Sequence, residues 1–120
     1  MQETDTDSKQ LTEKIVRLAL EKRALDVVTL NVRQMTTVCD YFIIASGAVD
    51  VHLMAVADYI LEGTASEGVR PLHIEGYDNL RWVLIDFTDV VVHLFLPEVR
   101  KFYSIERLWG EAEAKHYESK

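Results

Sequence analysis

A chain of 120 residues that is 48% hydrophobic and 28% charged fits one globular domain, and at this length roughly two-thirds of the unfolded surface is buried on folding, so neither disulfides nor a structural metal are needed. Thirteen Lys and Arg against twenty Asp and Glu leave a formal net charge of −7, which argues against non-specific binding along nucleic-acid phosphates and suits a basic protein surface. The single cysteine, Cys39, excludes an intrachain disulfide and a thiolate zinc site of the CxxC kind.

The start, residues 1–8, is polar and acidic and reads as a flexible lead; its composition matches neither a secretory signal nor an Arg-rich transit peptide. No apolar stretch is long enough to span a bilayer, and the expected compartment is the cytoplasm. Leu11, Ile15, Leu18 and Ala19 then recur at helical spacing, with Ser8 placed to cap the helix and Lys22 and Arg23 at its end. Val28, Leu30 and Val32 alternate with Thr29 and Asn31, which predicts a half-buried strand over 26–32. The unbroken run Tyr41-Phe42-Ile43-Ile44-Ala45, ending at Ser46-Gly47, predicts a central strand covered on both faces.

Asp50 is positioned to cap a second helix whose Leu53, Val56, Ala57, Ile60 and Leu61 share one face until Gly63 or Gly68. Pro71 opens a short strand in which Leu72 and Ile74 alternate with His73 and Glu75. Two runs, 81–86 and 90–95, separated by Phe87-Thr88-Asp89, read as a hairpin. After Pro97, the apolar residues Val99, Phe102, Tyr103, Ile105, Leu108 and Trp109 suggest a short, bent helical segment, and 110–120 is a charged tail that either extends that helix or frays. The sum is a single α/β domain over 9–109, with a mixed sheet of about five strands flanked by helices and no internal repeat.

Chemistry-bearing groups are sparse. Ser46-Gly47 before a helix offers a place for a phosphate, but one glycine without a following lysine is neither a P-loop nor a dinucleotide fingerprint. Asp86 and Asp89 flank a turn, where acidic residues serve turn chemistry more often than Mg²⁺. His52, His73, His93 and His116 have no HxxxH spacing; His93, inside Val90 to Phe95, reads as a hydrogen-bonded structural or interface residue. Cys39 has no basic neighbour and reads as an inert thiol. Trp82, Tyr103 and Trp109 are either core or contact anchors, and composition alone does not separate those uses.

Asp40-Tyr41-Phe42-Ile43-Ile44 with Ser46-Gly47, then Glu75-Gly76, Trp82-Val83-Leu84-Ile85-Asp86 and Asp89 through Phe95, closing with Arg100, Phe102-Tyr103 and Ile105 through Trp109, together resemble the Iojap family of ribosomal silencing factors. That resemblance covers the first helix through Trp109. It implies an α/β fold related to nucleotidyltransferases without their activity, no cofactor, and a docking factor that is often a homodimer. The implied partner is the large ribosomal subunit, through its ribosomal protein number fourteen, with small-subunit joining blocked and translation repressed. The contact set it suggests is Glu75, Trp82, Asp86, Asp89, Arg100 and Tyr103, with acids suited to a basic partner. The alternative is a nucleotide-binding enzyme built on the Ser46-Gly47 turn. Two departures stand out: Ala48 to Leu53 replaces a more polar stretch containing an Arg-Gln pair, and Thr88 stands where the family usually has a turn glycine.

Overall fold

The computed structural model describes the backbone of residues 2–118 and the side chains of residues 7–118. Helix α1 (Gln2–Glu21) leads into strands β1 (Leu25–Asn31) and β2 (Tyr41–Ser46), then helix α2 (Asp50–Ala65). Strands β3 (His73–Glu75), β4 (Trp82–Asp86) and β5 (Val90–Phe95) follow, then the short helices α3 (Pro97–Tyr103) and α4 (Ile105–Leu108) and strand β6 (Glu113–Tyr117). The six strands form one sheet in the order β3-β4-β5-β2-β1-β6. The β2–β5 pair is parallel and the rest are antiparallel, so the sheet is mixed as expected. The connection between the two parallel strands carries α2, as a crossover of this kind requires.

Helices α1 and α2 pack together over one face of the sheet. Their apolar stripes, including Ile15, Ala19, Leu53, Val56 and Ile60, meet Ile43, Ala45, Val83, Ile85, Val92 and Leu94 from the strands. All of these are essentially inaccessible to solvent, and burial on this scale stabilises by about 1.5–3 kcal/mol for each large aliphatic side chain.

Two local expectations change, at Ser8 and Asp50, and two are given their geometry. The first helix begins at Gln2 rather than after Ser8, so residues 2–8 are its opening turns and Ser8 lies inside the helix, 2% exposed. Its end is set by Arg23, which takes a left-handed backbone (φ 59°) so that Ala24 N–H reaches the Ala19 carbonyl at 3.0 Å. Asp50 is the first helical residue of α2 and not its cap; its carboxylate accepts from the neighbouring Val51 N–H at 2.7 Å. The bend after Pro97 falls at Ser104, left-handed at φ 48°, between α3 and α4.

The largest change is at the carboxyl end. Instead of extending a helix or fraying, residues 113–117 pair antiparallel along β1 and add a sixth strand. The reason is the backbone of β1: its Val28 and Leu30 are buried, and a buried strand cannot leave one row of N–H and C=O groups unpaired. The side chains of β6 are mostly exposed and carry no alternating apolar pattern, so the strand is held by main-chain bonds that composition does not reveal.

Candidate docking face

The registers fix which side chains share the second face of the sheet. Trp82 lies opposite Phe95, Leu84 opposite His93, and Asp86 opposite Val91. His93 is level with Ile44, and Val91 with Phe42, across the parallel pair, while Glu75 lies opposite Leu84 and His73 opposite Asp86. Residues level with one another point to the same side, so Glu75, Leu84, His93, Ile44 and Val28 form one row across this face. Neither long helix covers it. Only Val99 of α3 and Ile105 of α4 contribute buried helical residues to its apolar cluster.

On this face six rings stand in an unbroken chain. Phe102 meets Tyr103 edge-on at 5.0 Å, Tyr103 meets Trp82 at 4.8 Å, and Trp82 meets His93 at 5.9 Å between centroids. His93 in turn meets Phe42 at 5.1 Å, and Phe42 meets Trp109 at 5.0 Å, both edge-to-face. Such pairs contribute about 0.5–1.5 kcal/mol each beyond area burial. The chain runs from buried to wet: His93 is 8% exposed, Tyr103 49% and Phe102 80%. A run of exposed large apolar groups joined to a packed aromatic cluster is the surface pattern of a protein contact.

The indole N–H of Trp82 donates to Nδ1 of His93 at 3.1 Å. That nitrogen therefore carries the lone pair and the proton of the neutral ring sits on Nε2, which has no hydrogen-bond partner among the described residues. Burial holds the His93 pKa down to about 4, so the ring is neutral at cellular pH.

Two of the three carboxylates of the suggested contact set, Asp86 and Asp89, gather at one end of this face. Asp86 closes β4, and Asp89 precedes β5, where its carbonyl accepts from the N–H of Asp40 at 2.7 Å. Burial first, and the Asp40 charge second, push the Asp89 carboxyl up from its ordinary value. The same acids, added to burial, push the Cys39 thiol up to about 11, as expected for an inert thiol. Thr88 adopts φ 79° in the hairpin turn, so this turn does require the backbone that glycine would supply, and the threonine bears the strain. Its N–H donates to the Asp86 carboxylate at 2.7 Å. Glu75 is exposed on β3 and bonds His73 at 2.6 Å. Gly76 next to it has φ 79°, and a Cβ there would overlap the Trp82 carbonyl, so this glycine lets the chain pass close under β4.

Five of the six suggested contact residues thus lie on or border the open side. Trp82 and Tyr103 stack directly, Asp86 and Asp89 flank one turn, and Glu75 sits in the row of His93. Arg100 is different. Its Nε donates to Glu106 at 2.7 Å and its Nη1 to Ser46 Oγ at 3.0 Å, with only 11% of the side chain exposed, so it clamps α3 to α4 and to the end of β2. Phe42, Phe102 and Trp109 join Trp82 and Tyr103 through the ring chain; Trp109 reads from the sequence as core or anchor but lies outside the suggested contact set, and Phe42 and Phe102 were not singled out as contacts. The apolar run of β2 hides that Phe42 and Ile44 face away from Ile43 and Ala45; alternation within that run is the signal that separates them.

The turn after β2 offers little to a phosphate. Gly47 N–H donates to the Phe95 carbonyl at 3.0 Å, Ala48 N–H to His52 Nδ1 at 2.9 Å, and Ser46 Oγ is engaged by Arg100. A Cβ on Gly47 would come within 2.7 Å of the Leu53 backbone, so the turn is packed tightly onto α2. Asp86 and Asp89 lie at the opposite end of the strands from Ser46, roughly 16 Å away at about 3.3 Å per residue, too far to join it in one metal-nucleotide site.

These residues define the class of a single α/β domain with one face of its mixed sheet covered by two helices and the other face aromatic, open and rimmed by acids. A profile of the family described as ribosomal silencing factor during starvation matches residues 5–120. The chain is 40% identical over 92 residues to the ribosomal silencing factor RsfS of Bacillus subtilis, spanning 77% of this chain and 78% of that one. It is 30% identical over 112 residues to the chloroplastic protein Iojap of Zea mays, 92% of this chain and 49% of the relative. A crystal structure of a Chromobacterium violaceum protein superposes with a TM-score of 0.83 at 30% identity, covering 85% of both chains. The chain belongs to the ribosomal silencing factor family. No helix among the described residues is long and apolar enough to cross a membrane.

Proposed function

We propose that this protein docks by its open sheet face on the large ribosomal subunit, through ribosomal protein number fourteen, and represses translation by occupying volume the small subunit would fill. The observation that carries the reading is the continuous ring chain from Phe102 to Trp109 on the one sheet face the long helices leave free. Glu75, Asp86 and Asp89 border it, which suits a basic ribosomal partner. Steric exclusion needs no catalysis; it needs affinity enough to compete with subunit association. The protein acts in this reading as a cytoplasmic, ribosome-associated factor and not as an enzyme. The reading also includes a homodimer, for which the outer edge of β6, at one margin of the sheet, is the available backbone surface; light scattering in solution tests that part.

The main test is sucrose-gradient sedimentation with purified subunits at raised Mg²⁺. The protein is expected to migrate with the large subunit and to deplete coupled ribosomes. Trp82→Ala is expected to weaken that binding by about 2 kcal/mol or more, roughly 30-fold. A protein that stays at the top of the gradient while subunits join normally would sink the proposal.

A further inference from the structure

We infer that His93 is a positioning residue for docking: its Nδ1 holds the Trp82 indole in the one orientation that the partner surface meets. The inference rests on the docking reading above and concerns how that face is kept ready.

Trp82 opens β4 and is half-buried, with the rings of Phe95 and Tyr103 each 4.8 Å away between centroids. Ring contacts of this kind have no strong preference between the two ends of an indole, and the torsion that turns the ring is broad. The hydrogen bond to His93 breaks that near-symmetry, because only one orientation aims the N–H at Nδ1. His93 is two residues along from the direct partner of Trp82 on the neighbouring strand, a diagonal neighbour within reach of a large side chain.

The position argues that this is more than packing. His93 sits between Leu84 and Ile44 in its row, in an otherwise apolar cluster that includes Val91 and Phe95. A branched aliphatic residue there would avoid desolvating an imidazole, and of the two ring nitrogens only Nδ1 is bonded among the described residues. Taking most of an imidazole out of water costs stability that an aliphatic side chain would not lose. What an aliphatic residue lacks is an acceptor aimed at the indole. Neutrality of the ring, secured by its burial, keeps that acceptor present across cellular pH.

Four variants of the full chain test the inference, each measured for large-subunit binding and urea unfolding, and the two that keep Trp82 also for hydrogen exchange of its indole N–H by NMR, with Trp82→Ala as the docking control. His93→Leu is expected to fold with wild-type or greater stability, to lose protection at the indole N–H, and to bind at least fivefold more weakly. His93→Asn, whose carboxamide oxygen stands where Nδ1 stood, is expected to recover binding to within about twofold of wild type and to restore the protection. Trp82→Phe keeps one aromatic ring and removes the N–H together with the rest of the indole; it is expected to bind more weakly, and adding His93→Leu to it is expected to cause no further loss, since the bond that couples the two residues is already gone. If His93→Leu binds like wild type while Trp82→Ala weakens binding, the positioning role is overturned and the docking reading stands. If His93→Asn binds as weakly as His93→Leu, the acceptor is irrelevant and the inference is again overturned. If Trp82→Ala also binds normally, the docking reading fails and takes this inference with it. Should His93→Leu not fold, His93→Ala takes its place with the same two outcomes.

Discussion

The two faces of the sheet are built from alternate residues of the same strands and are chemically unlike. On the helix side, Ile43, Ala45, Val83, Ile85, Val92 and Leu94 meet α1 and α2 with almost no exposure, and the one buried polar side chain of α2, Thr64, bonds back to the Ile60 carbonyl at 2.9 Å. On the open side, Phe42, Trp82, His93, Phe95 and Trp109 take their place, several half-exposed, with carboxylates at the rim. β4 shows the division within five residues: Val83 and Ile85 are buried, whereas Trp82, Leu84 and Asp86 are partly exposed. Aliphatic packing maximises close contact and leaves no polar obligations. Aromatic packing at a wet margin gives up some burial and gains flat, amphipathic surface for a partner. Stability is thereby concentrated on one face, and the proposed docking would fall on the other.

If that division holds, mutations should separate cleanly by face. The largest effect is expected from Ile43→Ala on the helix side, a loss of about 2–5 kcal/mol in urea unfolding, with binding per folded molecule unchanged; a selective binding defect would break the comparison. Next is the acid response of the open side. The unfolded chain takes up a proton at His93 near pH 6.5, whereas the folded chain resists until about 4. The unfolded state therefore binds more protons in that window, and stability is intact above about 6.5 and drains as pH falls through it. The fall approaches 3 kcal/mol, on the order of 1.4 per unit, and His93→Asn should remove that part of the slope in a pH series of unfolding curves.

A smaller effect is expected at the exposed end of the ring chain. Phe102→Ser should change stability by no more than about 0.5 kcal/mol while weakening large-subunit binding roughly fivefold, about 1 kcal/mol. An unchanged affinity would shorten the docking face to its Trp82 end. Smallest of all, Thr88→Gly should relieve the left-handed turn at φ 79° and raise stability by roughly 0.5–1 kcal/mol, without altering binding, since the Asp86 contact uses the Thr88 backbone N–H.

Much of this could be read before any coordinates. Val90 to Phe95 forms a strand with the expected limits, and the helical stripe of Leu53, Val56, Ala57 and Ile60 gives the expected helix; the period-two pattern after residue 26 gives a strand too, but one buried on both faces from Val27 to Leu30 rather than half-buried. Those are short-range signals: periodicity reports which residues of one element face a core. Trp82, Tyr103, Glu75, Asp86 and Asp89 were legible as candidates because residue type and motif single them out. Arg100 carried the same motif weight, yet its guanidinium turns inward to Glu106 and Ser46, residues 6 and 54 positions away.

The sequence by itself determined the number and kind of most elements, the apolar stripe of each long helix, the acidic balance, and the aromatic identities available for contact, because all of these depend on residue type and local spacing. Only the tertiary structure decided that residues 113–117 complete the sheet beside β1, that Phe42 and His93 join Trp82 and Trp109 in one chain of rings, and that Arg100 is a clamp. These outcomes depend on strand register and on which backbone edges remain to be satisfied, and both are settled by partners far away along the chain.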